Sequence, residues 1–170
     1  MTTASVVPEV LHVWTISLRA SEEARRRGDR RTGTDHVLLG LLEDPSIEVV
    51  LGVSLQQARQ ALESLDQEAL GALGMGSFAD APPLPMRAVP KKPTIRAVMK
   101  KDRLRMTPAA KKVLEEAVKP MRRKTQVTAQ QVLAQILTLQ PPDPAAVLLG
   151  ALGVNTSEVR RRLDAVTPDS

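Results

Sequence analysis

The chain has no cysteine, no tyrosine and only two histidines among its 170 residues. Without thiols it has no disulfide, no thiolate metal site and no cysteine nucleophile. His12 and His36 are too few for a His-rich metal centre. Aromatic residues are nearly missing too, Trp14 and Phe78 being the only ones. A core must then be filled with Leu, Val, Ala, Ile and Met. That favours packed helices over a sandwich of strands, which usually draws on aromatic and β-branched side chains. No apolar run approaches the roughly 20 residues that span a bilayer, and the N-terminus carries no signal-peptide pattern, so no membrane association and a cytoplasmic location are expected. No Gly-x-x-x-x-Gly-Lys-[Ser/Thr] loop is present to cradle phosphates, and no cofactor is expected. Nor is any nucleophile–base pair, carboxylate pair or metal set legible, so the expectation is a protein that is not an enzyme.

What the sequence does have is a net charge of +5, unevenly placed. Residues 71–105 hold Arg87, Lys91, Lys92, Arg96, Lys100, Lys101, Arg103 and Arg105 against Asp80 and Asp102, which is more than the whole excess. The same stretch contains Gly71, Gly74, Gly76, Pro82, Pro83, Pro85, Pro90 and Pro93, the composition of a linker or extended arm. A polybasic segment of this kind can neutralise phosphates, so nucleic-acid binding is the alternative function. Only Phe78 is available there to stack on a base, which weighs against it.

On either side of the linker the pattern is helical. Val10, Val13, Trp14, Ile16, Leu18, Ala20 and Ala24 form an amphipathic stripe over Glu9–Arg27, ended by Gly28. Thr34 reads as the N-cap of a second helix, with Asp35 in its first turn where the helix dipole favours a carboxylate. Val37, Leu38, Leu41 and Leu42 follow at helical spacing, and Asp44-Pro45 closes the element. Ser46–Leu51 forms a third helix. Ser54, with Gln57 three residues on, opens a fourth that runs to about Leu70.

After the linker the order repeats. Thr107-Pro108 is an N-cap followed by proline at the first helical position. Val127–Leu137 matches Thr32–Leu42 without a gap, and Leu152-Gly153-Val154-Asn155 matches Leu51-Gly52-Val53-Ser54. The division expected is an N-terminal tail over 1–8, one repeat over 9–70, the linker over 71–105, a second repeat over 106–166 and a tail over 167–170, related by tandem duplication.

These motifs resemble the double-repeat N-terminal domain of the Clp/Hsp100 AAA+ unfoldases, the ClpC type in particular. The resemblance is carried by Ala20-Ser21-Glu22-Glu23-Ala24-Arg25, Gly33-Thr34-Asp35-His36-Val37-Leu38-Leu39-Gly40-Leu41-Leu42-Glu43, Leu51-Gly52-Val53-Ser54-Leu55, Thr107-Pro108-Ala109-Ala110-Lys111-Lys112-Val113-Leu114 and Leu152-Gly153-Val154. It implies an all-α fold in which two tandem four-helix repeats pack as one domain with a pseudo-two-fold axis. The ATPase modules of the family are missing from this chain, and a free-standing protein is expected rather than a fragment. The implied function is a protein- or peptide-binding module acting as adaptor, competitor or decoy in Clp-dependent proteolysis. The implied partners are a Clp ATPase or its substrates and adaptors, phosphoarginine-marked proteins and cyclic peptide ligands.

In ClpC-type domains each repeat can bind a phosphoarginine side chain, with a Thr-capped helix N-terminus for the phosphate and a carboxylate for the guanidinium. The candidate residues here are Thr34, Asp35, Thr107 and Gln130. The first repeat keeps the acid, Asp35, but has Val7-Pro8-Glu9-Val10 at its first helix start. The second keeps Thr107-Pro108 but carries neutral Gln130 at the acid position, so neither repeat has both parts. Plainer roles are also open: Thr34 and Asp35 as cap and dipole partner, Thr107 as a routine helix start, His36 as a packed or hydrogen-bonded residue, Trp14 as core or interface packing, and Arg25–Arg31 as a solvated helix end.

Overall fold

The computed structural model describes residues 10–74, 104–119 and 126–166; the basic segment over 75–103 lies outside the described residues. Eight helices and four short strands are found among them. In chain order they are β1 (Val10–His12), α1 (Val13–Arg27), β2 (Arg31–Thr32), α2 (Thr34–Leu41), α3 (Pro45–Leu51), α4 (Leu55–Ala72), β3 (Arg105–Met106), α5 (Pro108–Val118), β4 (Gln126–Thr128), α6 (Ala129–Ile136), α7 (Pro144–Ala151) and α8 (Thr156–Val166).

The helix boundaries follow the punctuation of the sequence. Gly28, at φ 81°, ends α1 in the left-handed conformation, and its N–H donates back to Ala24 and Arg25. Ser54 and Gln57 cap α4 reciprocally: Gln57 N–H donates to Ser54 Oγ at 3.2 Å, and Ser54 N–H to Gln57 Oε1 at 2.9 Å. Thr107 caps α5 by accepting from Ala110 N–H at 3.3 Å. Asp44 does more than close α2. Its carboxylate accepts from Ser46 N–H at 2.9 Å and opens α3, with Pro45 at the first helical position. Asp143 and Pro144 repeat that start in α7.

Two expectations need correction. The strands are invisible to periodicity, because two or three residues cannot show a period and exist only by virtue of their distant partners. The first helix therefore begins at Val13 rather than Glu9, with Val10–His12 extended instead. β1 pairs antiparallel with β4, and β2 pairs parallel with β3, so each strand of the N-terminal half is completed by one from the C-terminal half.

The second correction concerns Thr34, which is the first residue of α2 and not its cap. Gly33 holds the N-cap position, with φ −92° and ψ −179°.

Helix α2 is the hub of the core. All eight of its residues are buried, and it packs against α1, α4, α5, α6 and α7. Ile16, Ala20, Leu38, Leu39, Leu41, Leu42 and Ile47 continue without a break into Leu133, Ile136, Leu137, Leu148 and Leu149. Burying that much aliphatic surface from both halves makes them one core. Gly40 permits the closest approach: a Cβ there would stand 2.9 Å from the backbone nitrogen of Ala20 and 3.1 Å from Arg19 Cβ. Trp14 is half-buried and lies outside this core.

Candidate functional site

A cleft of about 630 Å³ opens where the β2–β3 pairing brings the two halves together. Its polar lining comes from the end of α1 and the turn after it (Arg27, Asp29, Arg30, Arg31), from the start of α2 (Gly33, Asp35, His36), from Asp66 on α4 and from Thr107 ahead of α5. Leu62, Leu65, Pro142, Pro144 and Val147 supply the apolar part. The structure thus joins Asp35 and Thr107, which the sequence assigns to different repeats. The reason is the ladder: Thr107 N–H donates to Thr32 O at 2.9 Å, one residue beyond the Thr32–Met106 pair.

Asp35 is the most enclosed charge in this cleft. Its Oδ2 accepts from Arg27 Nη1 at 3.2 Å, and its side chain is 9% exposed. Arg27 also reaches Asp29 Oδ2 at 3.6 Å and is hydrogen-bonded to Asp66. One guanidinium therefore gathers three carboxylates and ties α1 to α2 and α4. The arginine cluster is exposed, as expected of a solvated helix end, and Arg27 within it also serves as an ion-pair centre at the cleft edge. Burial pushes the Asp35 carboxyl up, but hydrogen bonding from His36, the charge its ring carries when protonated and the charge of Arg27 outweigh it and hold the group below its ordinary value of 3.8.

His36 closes the helix start, in the role expected for it. Gly33 N–H donates to Nδ1 at 3.0 Å, which in the neutral ring places the proton on Nε2, 2.9 Å from Asp29 Oδ2. Nδ1 also stands 3.2 Å from Asp35 Oδ1, a contact that becomes favourable when the ring is protonated.

The other two candidates lie outside the cleft lining. Thr34 is buried, and its hydroxyl is already engaged: it donates to Asp143 Oδ1 at 2.7 Å and accepts from Ala145 N–H at 3.3 Å, stitching the start of α2 to the start of α7. Gln130 is 4% exposed at the start of α6, and its Oε1 has no hydrogen-bond partner among the described residues. A second cavity, of about 450 Å³ and mostly apolar, lies between α1 and α5 and is lined by Val13, Ser17, Met106, Leu114 and Val118 with Lys111, Glu115 and Lys119 around them. The sequence reading missed Arg27, Asp29 and Asp66 as site residues, since their convergence depends on how α1 and α4 cross.

No cluster of metal-ligating side chains is found among the described residues, and none of their helices is long and apolar enough to cross a membrane. The architecture is that of a helical domain presenting an open mixed cleft where its two halves meet. The profile of the Clp repeat (R) N-terminal domain matches residues 12–138, more than half of the chain, and the protein belongs to that family. It is accordingly a Clp-related protein-interaction module, with a protein as its partner. No individual curated protein matches the chain.

Proposed function

We propose that this protein is a non-enzymatic binding module of the ClpC type, a tandem duplication of a four-helix repeat acting as adaptor, competitor or decoy in Clp-dependent proteolysis. The observation that carries this reading is the open cleft built from both halves of the chain, with charged and apolar side chains side by side. Such a lining suits a peptide segment better than a small metabolite, because it offers an ion-pairing end and an apolar wall without an enclosed chamber. The crosswise pairing of β1 with β4 and of β2 with β3 supports the duplication, since each half completes the other. The apolar cavity between α1 and α5 is the surface suited to a cyclic peptide ligand. The test is a titration of the protein against the adaptors, substrates and peptide ligands of a ClpC N-terminal domain. Saturable binding to one of them is expected, and failure with all of them removes the proposal.

Phosphoarginine recognition is the narrower form of the same proposal. Its support is that Asp35 and Thr107, a carboxylate and a Thr-capped helix start, line one cleft. Arg27 already occupies the carboxylate, so an incoming guanidinium must compete with it. Calorimetry with free phosphoarginine decides: heat is expected from the wild type and not from Asp35→Ala, and equal heats in both would exclude the role of Asp35.

A further inference from the structure

The charges that line the cleft are not equally available to a ligand. Asp35, Asp29 and Asp66 all converge on Arg27, and Asp29 also accepts from the His36 ring. Arg30 and Arg31 line the same cleft, are exposed, and have no carboxylate within ion-pairing distance among the described residues. A positively charged side chain entering here meets carboxylates whose charge Arg27 already partly neutralises, the most enclosed of them, Asp35, being bonded to it directly. A carboxylate entering here displaces only water from two guanidinium groups, each able to form a two-pronged bond. Leu65 and Val147, the latter 37% exposed, offer apolar surface in the same cleft.

We propose that the cleft binds an acidic peptide segment of a partner protein, its carboxylates on Arg30 and Arg31 and a neighbouring apolar side chain against Leu65 and Val147. This rests on the protein-interaction reading above and specifies the chemistry of the partner. Arg27 is the specificity-determining residue: by holding the three carboxylates it turns a cleft rich in aspartate into one that selects negative charge. Because Arg30 and Arg31 are exposed, the interaction weakens with salt, as a contact screened over about 10 Å at 0.1 M ionic strength must.

The experiment is a backbone-amide NMR titration of the full chain at low salt with three short peptides. One carries glutamates around a central leucine, and in the others lysine or glutamine replaces each glutamate. The glutamate peptide is expected to move the amides of Arg31, Gly33 and Thr107 and to bind about tenfold more tightly than the lysine peptide. The double variant Arg30→Ala with Arg31→Ala, at exposed positions, is expected to weaken it by about tenfold again. Arg27→Gln is expected to raise the affinity for the lysine peptide. Should that variant fail to fold, the double variant decides alone. Equal binding of the glutamate and lysine peptides, or no loss in the double variant, overturns the acidic assignment and leaves peptide binding standing. No movement with any of the three peptides also overturns the acidic assignment, and the titration against Clp adaptors, substrates and ligands separates that result from a failure of the protein-interaction reading.

Discussion

Helices α2 and α6 occupy matching places in the two halves, each following a short strand and each buried at the centre of the molecule, yet their starts are built differently. In α6 the cap is a closed neutral box: Gln131 N–H donates to Thr128 Oγ1 at 3.2 Å, and Thr128 N–H donates to Gln131 Oε1 at 3.0 Å. In α2 only the return half of the box exists, as Gly33 N–H donates to His36 Nδ1 at 3.0 Å and Gly33 has no side chain to give. The space a side chain would fill belongs to Asp35: a Cβ on Gly33 would lie 2.3 Å from its Oδ1. A missing side chain at the cap is therefore what lets a carboxylate stay at the edge of the cleft. The α6 start has Gln130 at that place, buried and outside the lining of that cleft. One scaffold thus carries a charged, open helix start and a neutral, closed one.

The bodies of the two helices differ as much as their starts, and the largest expected effect lies there. Gly40 of α2 meets the backbone of α1, whereas Gln135, its counterpart in α6, is half-buried and meets no such limit. Gly40→Ala is expected to cost about 1–3 kcal/mol by overpacking against Ala20 and Arg19. Gln135→Ala should stay within about 0.5 kcal/mol. Urea denaturation of the two variants beside the wild type measures both, and equal costs would mean that α1 and α2 can separate without penalty.

Next in size is the charge at the α2 start. Asp35→Asn keeps the volume and removes the ion pair with Arg27, for an expected loss of about 1–3 kcal/mol at neutral pH. The sign of its pH dependence follows from the direction of the shift. The carboxyl of the folded protein lies below its ordinary 3.8, so its stabilising contribution is complete above that value and is lost as pH falls through the folded one. Melting temperatures of the wild type and Asp35→Asn should therefore differ near neutrality and converge in acid. A constant gap down to the most acidic pH at which the protein folds would show that the charge contributes nothing.

These two residues also show what the sequence could and could not convey. The helical segments, the glycine terminator at 28 and the caps at Ser54 and Thr107 were legible because each is a local hydrogen-bond or φ requirement written in adjacent residues. The position of Asp35 in a first turn was legible for the same reason. Its partner was not. Arg27 lies eight residues away on another helix, and Asp66 on a third, so their meeting is set by helix crossing and not by spacing. The pairing of Thr32 with Met106 was equally hidden, as two-residue strands leave no pattern. Without it, Asp35 and Thr107 read as two halves of different sites. Thr34 is the opposite case: its side chain has the chemistry of a cap and stands beside a glycine, yet its hydroxyl bonds Asp143 and the start of α7 instead.

The smallest effect is the one that most directly equates the two helix starts. Thr128→Gly would give α6 the same side-chain-free cap as α2, leaving Gln131 N–H without its Oγ1 acceptor while the return bond from residue 128 N–H to Gln131 Oε1 survives. Glycine is itself a tolerable cap, so the expected loss is only a few tenths of a kcal/mol. Hydrogen exchange at the Gln131 amide, which reads that single bond, should accelerate while the core amides of Val132 and Leu133 stay protected. If instead the whole of α6 exchanged faster, the capping box would be holding the helix in place against α5, and the open start of α2 would be tolerated only because the pairs of Asp35, His36 and Thr34 replace it.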